Sequence, residues 1–543
     1  MPHRPVLAIL RIDEDADAYR DRVAAARMTA ANLRWRPRVP RRREDVALSH
    51  AYPASAPMRR VAIAMWPLSP LTVSAVISVG LGWLAAFGHI NVAALLVIMM
   101  GFLVLALRAP ALLAALLLLA VMNGVPVVNL AGRLPGGLPI RDAAVFALIV
   151  LLYAYRGRSR SVQGVRLERA ATIWSTCFIA WWTFTVARSV LLDSIPLLQA
   201  VLYGRDFLYF AILLPLALRV RFPMRSFRPA GGLLLLAAIL YAIGESLQSL
   251  TGIAMPWLAH PTLLAENEGL TRLYSPMTNV VITCLIFLGA LLLSPAVRGR
   301  RWGAGSLALI LMLGAVFQLF RANYAAMAVA FVVGLTIYAV RYSSVTAVLV
   351  RSAVVVMIMV VLGIASATEI KEGQNTSQAT DNPITMRVEE GVSDTLHSQG
   401  SVGYREMLDE KLLQVLGMHW PVGLGFLHPA AHYVAGLPFG TIRNTDTGVL
   451  NVLMTMGIVG VILIYAPLAY GFRELLRASK IDSPRPRGSS GTLVYGGAAW
   501  IAWAVAGSLT LVLLFSIDGL VLTALVLAFL GQAITRESVL PNY

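Results

Sequence analysis

Apolar runs of about twenty residues recur along this chain with short polar links between them. That pattern decides most of what the chain can fold into. A hydrocarbon layer about 30 Å thick takes roughly 17–25 apolar residues per helix, and a backbone in lipid has to satisfy its own hydrogen bonds, which a helix does within one segment. On that measure spans fall near 70–88, 90–107, 110–128, 141–155, 170–187, 206–219, 231–248, 276–296, 305–320, 322–340, 346–366, 447–470, 493–516 and 518–534. The expectation is an all-α polytopic membrane protein of about 12–14 transmembrane helices. Its parts are an arm at 1–65, a bundle at 66–366, a long polar loop at 367–446 and C-terminal helices at 447–543. Composition agrees, with 58% hydrophobic and only 13% charged residues, whereas soluble domains are nearer one quarter charged.

The formal charge of +17 raises the question of nucleic acid. Its distribution argues against that, because the basic residues sit between apolar runs and in the N-terminal arm, not on one soluble face. The arm (RWRPRVPRRRED within it) has no apolar stretch close to Met1, so it reads as a disordered cytoplasmic segment and not as a secretory signal. A lipid- or partner-binding role for it stays open. Cys177 and Cys284 both lie inside apolar runs and read as small buried hydrophobes, with no disulfide framework and no metal site.

Arginine placement gives the orientation. If the N-terminus is cytoplasmic, the inside links carry 19 Arg and Lys residues. The short outside links carry six: Arg133, Arg141, Arg188, Arg205, Arg272 and Arg321. Both termini then face the cytoplasm, and the 367–446 segment lies outside, in a periplasm or its equivalent. An enzyme placed there has no ATP or nucleotide sugar, so its donor has to carry its own activation.

Within that loop the run SVGYREMLDEKLLQVLGMHW has Ser401 as a candidate N-cap, with Tyr404, Met407, Leu408, Leu412, Val415 and Leu416 at helical spacing. It reads as an amphipathic helix along the membrane surface. Arg405 at its first turn opposes the helix dipole, which points to a bound anion; pairing with Asp409 four residues on is the plainer alternative. The following PVGLGF reads as a backbone turn. His397, His419, His428 and His432 hold four of the chain's eight histidines but lack zinc-site spacing. At the loop's end Arg443, Asn444 and Asp446 precede an apolar run. Asp446 is either its N-cap or a general base kept ionised by a neighbouring arginine. Upstream, Arg321 in LFRANYAAM is either a snorkelling arginine or an anion ligand at the outer leaflet. Arg205 and Asp206 read as a local ion pair at the mouth of a span.

In this order the motifs resemble those of the bacterial O-antigen ligases and Wzy-type O-antigen or exopolysaccharide polymerases. LFRANYAAM is similar to the family's arginine element at the outer end of a helix, although Phe320 stands where serine is usual. YREMLDEKLLQVLGMHWPVGLGF is similar to the loop's "R … P-x-x-G-x-G" segment. VLNVLMTMGIVG resembles the re-entry helix with its closing Gly-hydrophobic-hydrophobic-Gly, and YGRDFLYF an arginine element before an earlier helix. The resemblance spans about 200–470. It implies a GT-C-like fold and an inverting, metal-independent glycosyltransferase with no cofactor. The implied substrates are a glycan on polyprenyl (undecaprenyl) diphosphate as donor and a glycan acceptor. Arg321, Arg405 and Asp446 would be catalytic; Arg205, Arg443, Asn444 and His432 would bind substrate. It further implies a bacterial inner-membrane location, with a flippase and a chain-length regulator as candidate protein partners. The ligase branch opens its re-entry helix with a His-Asn pair, and counting back from Gly457 puts Asp446 near the histidine position. That departure favours the polymerase branch, with a ligase and a flippase or transporter as the alternatives.

Overall fold

The computed structural model describes residues 100–124, 139–157, 162–251, 262–267, 270–293, 301–317, 321–342, 409–426, 447–481, 489–510 and 513–537. Expected spans at 70–88 and 346–366 fall outside these, and 90–107 is described from residue 100, where a helical segment leads to α1. The helices are α1 (Pro110–Val121), α2 (Ile140–Ala154), α3 (Val162–Leu191), α4 (Leu197–Arg219) and α5 (Met224–Thr251). After them come α6 (Met277–Leu293), α7 (Arg301–Phe317), α8 (Arg321–Tyr342), α9 (409–416), α10 (Gly448–Ile481), α11 (Ser489–Thr510) and α12 (Ile517–Glu537). Within α3, α4, α5, α10 and α12 lie five stretches long and apolar enough to cross a membrane; α1, α6, α7, α8 and α11 are shorter apolar helices. This is the architecture of an all-α membrane protein.

One departure from an all-helical chain lies between α5 and α6. There β1 (Thr262–Asn267) and β2 (Leu270–Tyr274) form an antiparallel hairpin with Asn267 opposite Leu270.

Named contacts fix how the helices run. Trp500 donates to Thr283 Oγ1 at 3.0 Å, and Gly496 lies against Ala290, so α6 and α11 are antiparallel. Gly507 faces Ala326, Gly334 faces Ala499, and Tyr338 stacks edge-on against Tyr495. These contacts place the Arg321 end of α8 beside the Thr510 end of α11. Helix α12 runs parallel to α4: Gln532 donates to the carbonyls of Ala217 and Val220 at 2.7 and 3.0 Å. The core is apolar and aromatic, with Trp500, Trp503, Phe178, Phe207 and Phe210 fully buried.

The helix ends form two groups. At one end Gly157 N–H meets Arg219 O at 2.8 Å, Arg221 N–H meets Tyr155 O at 3.0 Å, and Arg221 pairs with Glu168 at 2.8 Å. Glu474, with Arg473 and Arg477 beside it, lies in the same region. The other end, where α2, α4, α6, α8 and α12 begin, holds the features described next.

Candidate functional site

Two differences from the hydropathy reading build this end. The first is the start of α4. The apolar pattern placed the span at 206–219, leaving Arg205 in a link. The helix in fact starts at Leu197, straight after Pro196, whose fixed φ suits a helix start. Arg205 and Asp206 therefore lie inside α4, and a charge inside an apolar helix needs partners.

Those partners come from other helices. Arg205 Nε is 3.1 Å from Asp142 Oδ1 on α2 and 3.6 Å from Asp206 Oδ1. The local pair expected between Arg205 and Asp206 is thus present, but the cross-helix pair is closer. Tyr209 OH donates to Asp142 Oδ1 at 3.3 Å, and Arg141 donates through Nε to Asn123 Oδ1, just past α1, at 2.7 Å. Asp518, at the first turn of α12, accepts from Asn279 Nδ2 of α6 at 3.3 Å. Asp518 lies within electrostatic reach of Arg141, and Asp206 within reach of Asp142 and Asp518. Asp142 and Asp518 are each 3% exposed. Sequence reading missed Arg141, Asp142, Asn279 and Asp518 as a group. The available signal was a charged or polar residue within the first few positions of the expected spans 141–155, 276–296 and 518–534, which hydropathy alone does not pair.

The second difference is α10, expected as an unbroken span. Its helix is interrupted at Gly457, with φ 66° and ψ −171°, so the turn before the break loses its intrahelical partners. The PVGLGF turn supplies them, as the first expectation of a backbone turn allows. Leu424 N–H donates to Met454 O at 2.6 Å, Gly425 N–H to Thr455 O at 3.0 Å, and Ile458 N–H to Trp420 O at 2.9 Å. Trp181 of α3 donates to Met456 O at 2.9 Å. The glycines at both ends of GIVG have physical reasons: Gly457 takes the positive φ, and a side chain on Gly460 would collide with Met456.

The same turn is tied to α3 and α4. Arg188 donates to the Gly423 carbonyl, and its second nitrogen is 3.4 Å from His419 Nδ1. Phe426 N–H donates to Ser189 Oγ at 2.7 Å. The Phe426 ring is fully buried, stacks on Phe207 with centroids 6.1 Å apart, and packs against Gly204, where a β-carbon would lie 2.5 Å from the ring. Gly204 adjoins Arg205, so the anchored turn and the charge cluster share one stretch of α4.

Of the expected amphipathic helix, residues 409–416 are described, as α9, while Ser401, Tyr404, Met407 and Leu408 lie outside the described residues. Leu412 and Leu416 are buried against Leu424, Leu450 and Met454, so its apolar stripe rests on protein. Met418 and Trp420 remain 91% and 54% exposed beside it. Asp409 accepts a hydrogen bond from Thr447 Oγ1 at 3.0 Å, which links the surface helix to the start of α10. Thr447 O receives the first helical bond there, from Asn451 at 3.1 Å.

Of the residues singled out from sequence, Arg205 sits in the cluster and Arg321 begins α8 at this same end. Arg405, His432, Arg443, Asn444 and Asp446 lie outside the described residues. Among the described residues no three or more His, Cys, Asp or Glu side chains are grouped to hold a metal ion. A scan against protein-family models matches none, and a comparison with curated proteins likewise finds no match.

Proposed function

We propose that the chain is a membrane polysaccharide polymerase. It joins polyprenyl-diphosphate-linked oligosaccharide repeat units on the outer face of a bacterial cytoplasmic membrane by inverting, metal-independent glycosyl transfer. The supporting observation is that one end of the bundle collects the Arg321 start of α8, the cluster around Arg205, and the anchored turn that precedes the re-entering helix α10. It is also the end at which the undescribed part of the 367–446 segment rejoins the bundle at Thr447.

The chemistry follows from the donor. When the bond between the sugar and the diphosphate breaks, negative charge grows on the departing phosphate oxygens. Arg321 and Arg405 would meet that charge with ionic hydrogen bonds, which are stronger than neutral ones and act where charge develops. Asp446 would take the proton from the acceptor hydroxyl as that oxygen attacks the anomeric carbon from the face opposite the diphosphate. Arg443 keeps Asp446 ionised, and Asn444 and His432 contact the sugars. Arg205, already engaged by two carboxylates, is suited to positioning this end of α4. A ligase would use the same chemistry with another acceptor.

A transport reading has its own support: α10 is broken at Gly457, and carboxylates are buried in apolar helices, both features of transporters. Deleting the gene separates the classes. A polymerase deletion accumulates single lipid-linked repeats, a ligase deletion accumulates lipid-linked polymer, and a flippase deletion traps the donor inside. Complementation with Arg321→Ala or Arg405→Ala is expected to give no polymer from inserted protein. Near-normal polymer from both would remove the diphosphate role. A fully active Asp446→Asn would leave Asp446 without an acid–base role.

A further inference from the structure

Two of the membrane-crossing helices carry an internal proline, Pro215 in α4 and Pro467 in α10. A proline leaves the carbonyl four residues before it without a helical donor, so Ala211 O and Leu463 O need partners from elsewhere. Neighbouring residues of α3 supply both. Ser175 Oγ donates to Ala211 O at 2.6 Å, and Trp174 Nε1 donates to Leu463 O at 2.7 Å. Beside the two prolines, α3, α4, α10 and α12 enclose a crevice of about 200 Å³. Its floor is Leu214, Leu218, Leu527 and Leu530, all buried. Its rim is Ala170 and Trp174 from α3 with Ala466 and Tyr470 from α10, all half-buried.

All four walls belong to helices long and apolar enough to cross a membrane, and Ile173 and Ile462 on the two rim helices are 57% and 60% exposed. The rim therefore opens onto the lipid-facing side of the bundle. An apolar cavity of this order stays dry and takes hydrocarbon instead of water. One end of the crevice is charged. There Glu474 Oε1 accepts an ionic hydrogen bond from Arg477 at 2.8 Å. Arg473 stands 3.7 Å from the same oxygen, beyond hydrogen-bond distance. Its guanidinium lies 5.4 Å over the Tyr470 ring, and more than half of its side chain is exposed. Arg166 and Arg169, both exposed, adjoin the lining residues Leu167 and Ala170 on α3. An apolar slot with arginines at one end matches the two parts of a lipid, a hydrocarbon chain and an anionic headgroup, and basic pockets between membrane helices hold such headgroups.

We infer that this crevice binds one anionic phospholipid from the surrounding leaflet, with an acyl chain against Leu214 and Leu527 and the phosphate at Arg473. The site lies at the end of the bundle away from Arg205 and the anchored turn, so it is separate from the place assigned to the donor diphosphate. The inference stands whether or not the chain transfers glycans.

The test uses full-length protein in nanodiscs made from equal parts of phosphatidylglycerol and phosphatidylethanolamine with the same acyl chains, read by native mass spectrometry. One phospholipid per chain should stay bound, and it should be phosphatidylglycerol, the anionic one. Ala170→Phe and Ala466→Phe, which put a ring into the crevice from either rim, should each lose the bound lipid. Ile462→Phe, already on the lipid-facing side of α10, should keep it. Arg473→Gln leaves the Glu474–Arg477 pair in place, so it should still retain a lipid, with the preference for phosphatidylglycerol cut by about fivefold. A wild-type chain with no retained lipid, equal retention of both lipids, or retention that survives both Phe variants overturns the inference. So does an unchanged preference in Arg473→Gln. Undecaprenyl phosphate displacing phosphatidylglycerol when both are offered overturns it too, because the crevice would then belong to a polyprenyl chain.

Discussion

Gly423 and Gly457 meet backbone to backbone. A β-carbon on either residue would lie 2.5 Å from the amide nitrogen of the other, and both have positive φ, +74° and +66°. The broken helix and the turn that completes it therefore depend on both positions lacking a side chain. Gly423→Ala or Gly457→Ala has to bear the cost of a sparsely populated positive-φ backbone, about 1–3 kcal/mol, and a main-chain collision as well. Gly417→Ala, at φ +46° with nothing within 4 Å, bears the first cost alone. Denaturation midpoints in detergent should fall clearly further for Gly423→Ala and Gly457→Ala than for Gly417→Ala. Equal shifts would mean that the two backbones are not in contact.

Phe426 anchors the turn. Its ring is fully buried against Phe207, Tyr203 and Gly204, and emptying such a site costs about 3–5 kcal/mol. Phe426→Ala should lower stability by that order and make the 417–426 region a new site of limited proteolysis. Phe426→Leu, which keeps much of the volume, should lose less. An unchanged proteolytic pattern in Phe426→Ala would show that the hydrogen bonds to Met454 and Thr455 hold the turn by themselves.

The Arg205–Asp142 pair predicts a non-additive cycle. Removing one partner of a buried ion pair leaves the other uncompensated, at a cost of about 3–5 kcal/mol. Arg205 is about one-third exposed, so solvent screening puts this pair near the low end. Arg205→Met and Asp142→Leu should each destabilise the protein, and the double variant should cost less than the two added together. Strict additivity, read from thermal unfolding of all four proteins, would show that the two side chains do not interact.

The contrast between these features shows what the sequence discloses and what it conceals. Five of the spans were legible because lipid imposes a composition on every helix that crosses it, and runs such as 231–248 and 518–534 carry that composition on their own. The stripe of Leu412 and Leu416 was legible for the same local reason. The break at Gly457 was not, since glycine is ordinary in apolar helices. What sets its φ is the arrival of residues 420–425 from elsewhere in the chain. Asp142, Asp206 and Asp518 were hidden in a similar way. Each sits at the first or second position of an expected span, and nothing in that run says which other helix will meet it.

The orientation of the bundle is open to a direct test that the proposed chemistry depends on. Met418 and Trp302 are 91% and 92% exposed. Met418 lies at the end that carries the charge cluster, while Trp302 is in the first turn of α7, at the opposite end. In a background where Cys177 and Cys284 are replaced by alanine, Met418→Cys should react with a membrane-impermeant thiol reagent added to intact cells. Trp302→Cys should react only after the cells are permeabilised. Arginine distribution between spans predicts this outcome. The reverse labelling pattern would put the Arg321 and Asp518 end in the cytoplasm, where nucleotide-activated sugars are available. The argument for a lipid diphosphate donor would then lose its premise, while the predictions for Gly457, Phe426 and Asp142 would stand, because they depend only on packing.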